Sequence, residues 1–370
     1  MKTKAAVLWQ VSEPWSVEEI ELDPPKAGEV LVRLEYAGLC HSDDHLVTGD
    51  MPAILPIIGG HEGAGVVEEV GPGVTSLAAG DHVVPMFIPA CGRCRWCATG
   101  RSNLCDAGAE LMMGAGADGT FRVHARGQDL YTLCFLGTFS PYAVMSERSL
   151  VKIPPHVPLE VAALVSCGVT TGYGSAVHTA RVQPGEIVVV VGVGGVGANA
   201  VQGARIAGAE AIVAVDPVEL KRDKAKTWGA THTAASIEEA TGLVRELTWG
   251  VMADAAIYTV GVASGEDMNG MLGLVSKGGR VVVTAVSPFT DTTVNLSLFD
   301  LTLSQKELRG SLFGGANGRA DIPKLLRLYE SGQLRLDELI TTRYTLDEVN
   351  TGYQDMREGR NIRGVIAHAH

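Results

Sequence analysis

Five consecutive β-branched residues, Ile187–Val191, run directly into Gly192-Val193-Gly194-Gly195-Val196-Gly197. An unbroken apolar run of this length reads as a strand buried on both faces, the kind found in a parallel sheet. The glycines follow the spacing G-x-G-x-x-G, and the residues after them, ANAVQGARIAGA, read as a helix. A second apolar run, Ala211–Val215, is closed by Asp216, nineteen residues beyond Gly197. Strand, glycine turn, helix, strand and terminal acid together form the fingerprint of a dinucleotide-binding βαβ unit. Gly192 permits the sharp turn, Gly194 lets the backbone approach a pyrophosphate, and Gly197 lets helix and strand pack closely. Gly195 and Val196 open the helix, whose positive dipole end faces the phosphates. Asp216 can accept hydrogen bonds from the adenosine ribose, and its charge repels a 2′-phosphate, so NAD is expected in preference to NADP. Lys221 is close enough in sequence to add a ribose contact.

The segments AAIYTVG and RVVVTAV continue the rhythm of strand and helix, as a right-handed parallel sheet requires. Before residue 165 the pattern differs. EVLVRLEYAG, GAGVVEEVG and DHVVPMFI are short β-type runs broken by Gly and Pro, and they predict a mainly antiparallel domain. After residue 320 the chain reads as two amphipathic helical segments around a short extended piece, ending in the strand IRGVIAH. That tail does not continue the βα rhythm and is assigned back to the first domain. The expected fold class is therefore α/β.

The 370 residues include seven cysteines, and four of them fall in CGRCRWCATGRSNLC as Cys91, Cys94, Cys97 and Cys105. Pairs two residues apart suit a tetrahedral thiolate site, and four thiolates close a zinc's shell, which makes such a site structural. Disulfides and an iron–sulfur cluster are the competing readings, with a redox dithiol behind them. Arg93, Arg95 and Arg101 are placed to offset thiolate charge. Net charge is −12, which argues against nucleic acid or an anionic membrane as the main partner. No apolar run is long enough for a membrane helix, and MKTKAAVLWQ lacks a signal-peptide h-region, so a cytoplasmic protein is expected.

Three cysteines remain. Cys40 opens the polar cluster CHSDDH, His61 and Glu62 lie between glycines in GGHEGAG, and Cys167 lies in SCGVTTGYG. Two thiolates and an imidazole would make an open three-ligand zinc site. A lone buried cysteine is also ordinary core, and the wide sequence separation leaves both readings standing. Cys134 is read as core, and His368 and His370 as solvated.

GHEGAGVVEEVGPGV, CHSDDH, the four-cysteine lobe, SCGVTTGYG and the glycine turn resemble, in order and over nearly the whole chain, the zinc-containing medium-chain alcohol dehydrogenases. A narrower resemblance is carried by RSNLCDAGAELM, FRVHARGQDLY, LGTFSPYAV and GYQDM…GRNIRGVI, among others. These segments are similar to the actinobacterial nicotinoprotein alcohol dehydrogenases, which are assayed with N,N-dimethyl-4-nitrosoaniline and associated with the carrier mycofactocin. The resemblance implies a GroES-like catalytic domain over 1–168, a Rossmann NAD-binding domain over 169–312 and a return segment over 313–370, with the active site in the cleft between domains. It implies a catalytic zinc on Cys40, His61 and Cys167 and a structural zinc on the lobe at 91–105. It implies a proton relay through Ser42 and His45, with His45 at the solvent end. Asp43 would stand behind the ligand histidine and Glu62 behind the metal. His41 and Arg363 would meet cofactor phosphates, Thr171 the nicotinamide face, and Val260, Ala285 and Val286 the cofactor channel. It further implies oxidation of a primary or secondary alcohol, NAD(H) that stays bound through turnover, a homo-oligomer (dimer or tetramer), and a role for Ala107–Tyr131 in holding the cofactor. A thiol-dependent formaldehyde dehydrogenase and a catalytically silent zinc- and NAD-binding sensor are the alternatives.

Overall fold

The computed structural model describes residues 1–111 and 113–370, with the side chains of Glu110 and Leu111 outside the description. Ala107–Tyr131, expected to hold the cofactor, is therefore described except at residues 110–112. The chain divides into two compact units. One comprises Met1–Cys167, Asn317–Gly332 and Leu336–His370, and the other Gly168–Ala316 with Gln333–Arg335.

The first unit holds a small closed barrel and a seven-stranded sheet. In the barrel, strands Lys2–Leu8, Ser16–Leu22, Val123–Ala125, Gln128–Thr132 and Ile57–Ile58 close on one another. Along Ser16–Leu22 the last residues alternate, with Ile20 and Leu22 inside and Glu19 and Glu21 outside, as the two-residue period of a strand dictates. The centre of the sheet is Glu29–Gly38, the first β-type run picked out in the sequence. Gly63–Val70 pairs with it antiparallel on one side, and Arg363–Ala367 pairs antiparallel on the other. Ile340–Tyr344 then adds in parallel to Arg363–Ala367. The tail supplies helices Gly318–Glu330 and Val349–Arg357 around these strands, as its pattern predicts. Val30, Val32, Leu34 and Ala37 of the central strand are fully buried and join Leu39, Phe139, Val349 and Tyr353 in the core.

The second unit is a six-stranded, wholly parallel sheet. Its order is His232–Ala234, Ala211–Val215, Ile187–Val191, Ala253–Tyr258, Val275–Val283 and Glu307–Gly310. The chain thus winds outward in both directions from Ile187–Val191, which is the doubly wound dinucleotide-binding arrangement. Val188, Val189 and Val190 are completely buried, which is why that run carries no polar alternation. Among the described residues, no helix is long and apolar enough to cross a membrane.

Candidate metal centres and dinucleotide turn

Strand pairing brings Cys40 and His61 together. Ala37, near the end of the central strand, is registered opposite Gly63 at the start of its neighbour. Cys40 therefore leaves one strand where His61 and Glu62 enter the next. Cys167 arrives from the end of helix Leu159–Val165, and Ser166 ties that end to the sheet: its hydroxyl accepts from the Gly63 amide at 3.1 Å and donates to the Ala163 carbonyl at 2.6 Å. One ligand atom each from Cys40, His61, Glu62 and Cys167 lies within 4.8 Å of all the others, and all four residues are buried. Nε2 of His61 has no hydrogen-bond partner. A buried imidazole and two buried thiols so arranged fit a divalent ion of zinc's preferences.

The surroundings are charged in a way that suits a cation. His61 Nδ1 lies 3.1 Å from Asp43 Oδ2, and the other oxygen of Asp43 accepts the Gly60 amide hydrogen at 2.7 Å. Burial pulls the His61 imidazole down, yet the charges of Asp43 and Cys40 outweigh it and hold it well above its ordinary range. The Cys40 thiol is held well below its usual range, by its hydrogen bond with Cys167 first and by the His61 charge, against the opposing effect of burial. The Phe87 ring closes edge-on against His61, centroids 5.8 Å apart. Glu62 and Arg363 form a fully buried ion pair. Arg363, expected against a cofactor phosphate, is thus engaged by the carboxylate beside the ligand set.

Helix His41–Thr48 carries the remaining polar residues. Ser42 Oγ is 3.7 Å from Cys40 Sγ. His45, expected at the solvent end of a relay, is only 3% exposed, and its Nδ1 faces Asp50 Oδ2 at 3.2 Å. Asp50 also accepts from Thr48. Asp50 was missed because nothing in CHSDDHLVTGD distinguishes it from a turn residue. His41 is half-buried, its ring 6.4 Å from that of His45.

In the cysteine lobe, one sulfur each from Cys91, Cys94, Cys97 and Cys105 lies within 4.8 Å of the others. Cys91 and Cys97 sulfurs are 4.0 Å apart, as are those of Cys94 and Cys105. A tetrahedron with metal–sulfur bonds of about 2.3 Å has edges of about 3.8 Å, so the cage fits zinc. Backbone amides are already aimed at the sulfurs: Cys97 N–H at Cys94 and Cys94 N–H at Cys91. Bonds of this kind, from Cys97 and Asp106, bring the Cys94 thiol down to about 6. Of the arginines expected to offset thiolate charge, Arg95 and Arg101 lie over the Trp96 ring instead, at 4.2 and 5.1 Å. None of the seven cysteines is in a disulfide.

In the second unit, Gly192 has φ 88°, open to glycine and strained for other residues. Gly194 caps helix Gly195–Ile206. A Cβ on Gly197 would overlap the Gly192 carbonyl, whereas one on Gly194 would meet nothing within 4 Å. The turn is tight inside and open outside, as a phosphate cradle needs. Asp216 is 4% exposed, with Oδ2 accepting from the Val193 amide and Oδ1 from the Val218 amide. Lys221 lies in the first turn of Glu219–Trp228 and is half-buried. Thr171 is buried, Val260 and Ala285 are half-buried, and Val286 is exposed.

One histidine corrects the reading of the tail. His368 is buried at 9% exposure, because the terminal strand carries it inward to face the Thr138 carbonyl at 3.0 Å. His370 is exposed, as its reading has it, with its ring edge toward Tyr142 and Nε2 3.4 Å from Glu35. Cys134 is buried core.

Comparison with known proteins agrees with this geometry. The alcohol dehydrogenase GroES-like domain matches residues 26–155 and the zinc-binding dehydrogenase domain residues 195–331. Alcohol dehydrogenase B of Mycobacterium tuberculosis is 55% identical over 368 residues, covering 99% of this chain and 98% of that protein. The NDMA-dependent alcohol dehydrogenase of Amycolatopsis methanolica is 54% identical over 369 residues, covering 100% of both. The crystal structure of benzyl alcohol dehydrogenase from Acinetobacter calcoaceticus superposes with a TM-score of 0.92 at 30% identity, covering 100% of both chains.

Proposed function

The chain belongs to the zinc-binding medium-chain alcohol dehydrogenases, and on that premise we propose that it oxidises a primary or secondary alcohol with an NAD that stays bound through turnover and is reoxidised in place. The observation that carries the reading is the convergence of Cys40, His61, Glu62 and Cys167 within 4.8 Å. Cys40, His61 and Cys167 would hold the catalytic zinc and Cys91, Cys94, Cys97 and Cys105 the structural one. Bound zinc supplies Lewis acidity toward the alcohol oxygen, and bound NAD supplies the hydride acceptor.

The protein's own task is then the alcohol's hydroxyl proton. Ser42, beside Cys40, accepts it as its own proton moves on. His45 takes that proton, and Asp50, on the Nδ1 side of the imidazole, leads it outward. Asp43 orients His61 toward the metal. Glu62, neutralised by Arg363, stands ready at the ligand set. In the second unit Gly192, Gly194, Gly195, Val196 and Gly197 cradle the pyrophosphate and Asp216 selects the ribose. Lys221, Thr171, Val260, Ala285 and Val286 complete the cofactor contacts, with His41 toward phosphate.

Bound, non-exchanging NAD is supported by the 54% identity to a relative named for its dependence on NDMA, and it calls for an external redox carrier such as mycofactocin. A homo-oligomer is supported by the edge strand Glu307–Gly310, which is flanked by exposed Leu298, Phe299, Leu303 and Leu312 and itself exposes Leu308. A second copy pairing edge to edge would cover these side chains. A cytoplasmic setting is supported by seven free cysteines.

The decisive experiment is denaturing release and cofactor analysis of extensively dialysed protein, with turnover of simple alcohols measured alongside. NAD(H) near one per chain together with alcohol turnover is the expected result. Loss of cofactor on dialysis overturns the bound-cofactor reading, and turnover of formaldehyde only in the presence of a thiol overturns the substrate class.

A further inference from the structure

Helix Val349–Arg357 docks against helix His41–Thr48. Arg357 grips Asp44, with Nε 3.1 Å from both carboxylate oxygens and Nη2 2.5 Å from Oδ1. That fork fixes how the two helices lie. One turn earlier on the same face, where i and i−4 residues stack, comes Tyr353. Its ring is packed between Trp15 and Phe139, at centroid distances of 6.4 and 6.2 Å, and only 2% of the residue is exposed.

The Tyr353 hydroxyl is buried without a hydrogen-bond partner, while Asp43 Oδ2 faces His61 Nδ1 at 3.1 Å and has room to accept a second hydrogen. Leaving a buried polar atom unpaired costs about 1–3 kcal/mol. A buried phenol left unpaired near a carboxylate calls for an explanation. Phenylalanine would fill the same aromatic niche without that cost. Burial raises the phenol well above its ordinary range, and the negative charges of Asp43, Cys40 and Asp44 raise it further. The group stays protonated and faces that carboxylate only as a donor.

We propose that Tyr353 is a positioning residue for the metal centre: its hydroxyl holds the Asp43 carboxylate that faces His61. Asp43 is then restrained on both oxygens, by the Gly60 amide on Oδ1 and by Tyr353 on Oδ2. The imidazole it orients is presented to the metal in one pose. The proposal rests on the reading of Cys40, His61 and Cys167 as zinc ligands.

The test is zinc release from the purified holoenzyme to a chromogenic chelator, and the visible absorption of the cobalt-substituted enzyme, for wild type, Tyr353→Phe, Asp43→Asn and the double variant. In Tyr353→Phe one of the two zincs is expected to leave about tenfold faster while the other is unchanged, and the cobalt bands shift. The double variant should release zinc at the rate of Asp43→Asn alone, because Tyr353 acts through Asp43. An unchanged release rate and cobalt spectrum in Tyr353→Phe overturns the proposal alone, as does a double variant faster than Asp43→Asn. If Asp43→Asn does not fold, the Tyr353→Phe cobalt spectrum decides. A wild-type chain that holds only the four-cysteine zinc overturns the ligand reading and the proposal with it.

Discussion

Asp216 Oδ2 accepts the amide hydrogen of Val193 at 2.8 Å, which ties the end of one strand to the middle of the glycine turn that follows its neighbour. The same carboxylate holds the Val218 amide at 2.9 Å through Oδ1. One side chain thus shapes the turn and, on the proposed reading, stands at the ribose position. Asp216→Ala should leave both amides without an anionic acceptor, a loss of about 1.5–3 kcal/mol for each bond to a charged group. The expected outcome is a lower urea midpoint together with less NAD retained per chain and a gain in NADP binding. Cofactor analysis and denaturation of the same preparation check all three.

The glycine turn separates packing from binding. Gly197→Ala should destabilise by about 3 kcal/mol, because the new methyl overlaps the Gly192 carbonyl. Gly194→Ala should fold with a near-wild-type midpoint, since nothing lies within 4 Å of its Cβ, yet retain less NAD because the methyl stands where the pyrophosphate approaches. Equal stability losses in the two variants would contradict this division.

At the candidate metal centre, the charges of Asp43 and Cys40 hold the His61 imidazole well above its ordinary range although burial opposes the charge. A ligand imidazole must be neutral, so loading metal-free protein should release a proton from His61, and affinity should rise with pH. Calorimetric titration with Zn2+ in buffers of different ionisation enthalpy measures that proton. Asp43→Asn should release less of it and bind zinc about 10–100-fold more weakly, with the cysteine lobe unaffected.

His368 gives an acid-side signature in stability. Burial first, with the neighbouring His370 adding to it, brings its imidazole down to about 4 against the opposing effect of the Thr138 carbonyl. The unfolded chain keeps the ordinary value near 6.5 and therefore binds the extra proton between those limits. Stability is full above about pH 6.5 and falls as pH drops toward 4, by on the order of 3 kcal/mol. His368→Gln should flatten that part of the profile in urea midpoints measured at pH 7 and pH 5.

Local pattern carried much of this structure. The run Ile187–Val191 is a strand with those limits because Val188–Val191 are buried in the sheet's interior. The central strand Glu29–Gly38 coincides with EVLVRLEYAG because Val30, Val32 and Leu34 alternate inward with partly exposed Leu31, Arg33 and Glu35. The four-cysteine lobe was legible because its ligands are close in sequence. The Glu62–Arg363 pair spans 301 residues and leaves no periodic trace. His368 looked solvated because a strand that ends a sequence gives no sign of what covers it. Tyr353 and Asp50 are ordinary polar residues on helix and turn, and only docking gives them neighbours.

The strand Arg363–Ala367 lies directly beside Glu29–Gly38, between it and Ile340–Tyr344, and its first residue reaches Glu62. During synthesis on the ribosome, residues 1–167 therefore emerge with the Tyr36–Gly38 end of the central strand unpaired on one side. The parallel sheet of the second unit is complete once Gly310 is out. The metal pocket must wait more than fifty residues longer for its arginine. Apoprotein at this stage is an open-edged sheet with bare thiols, so zinc delivery and chaperone protection should matter most in that interval.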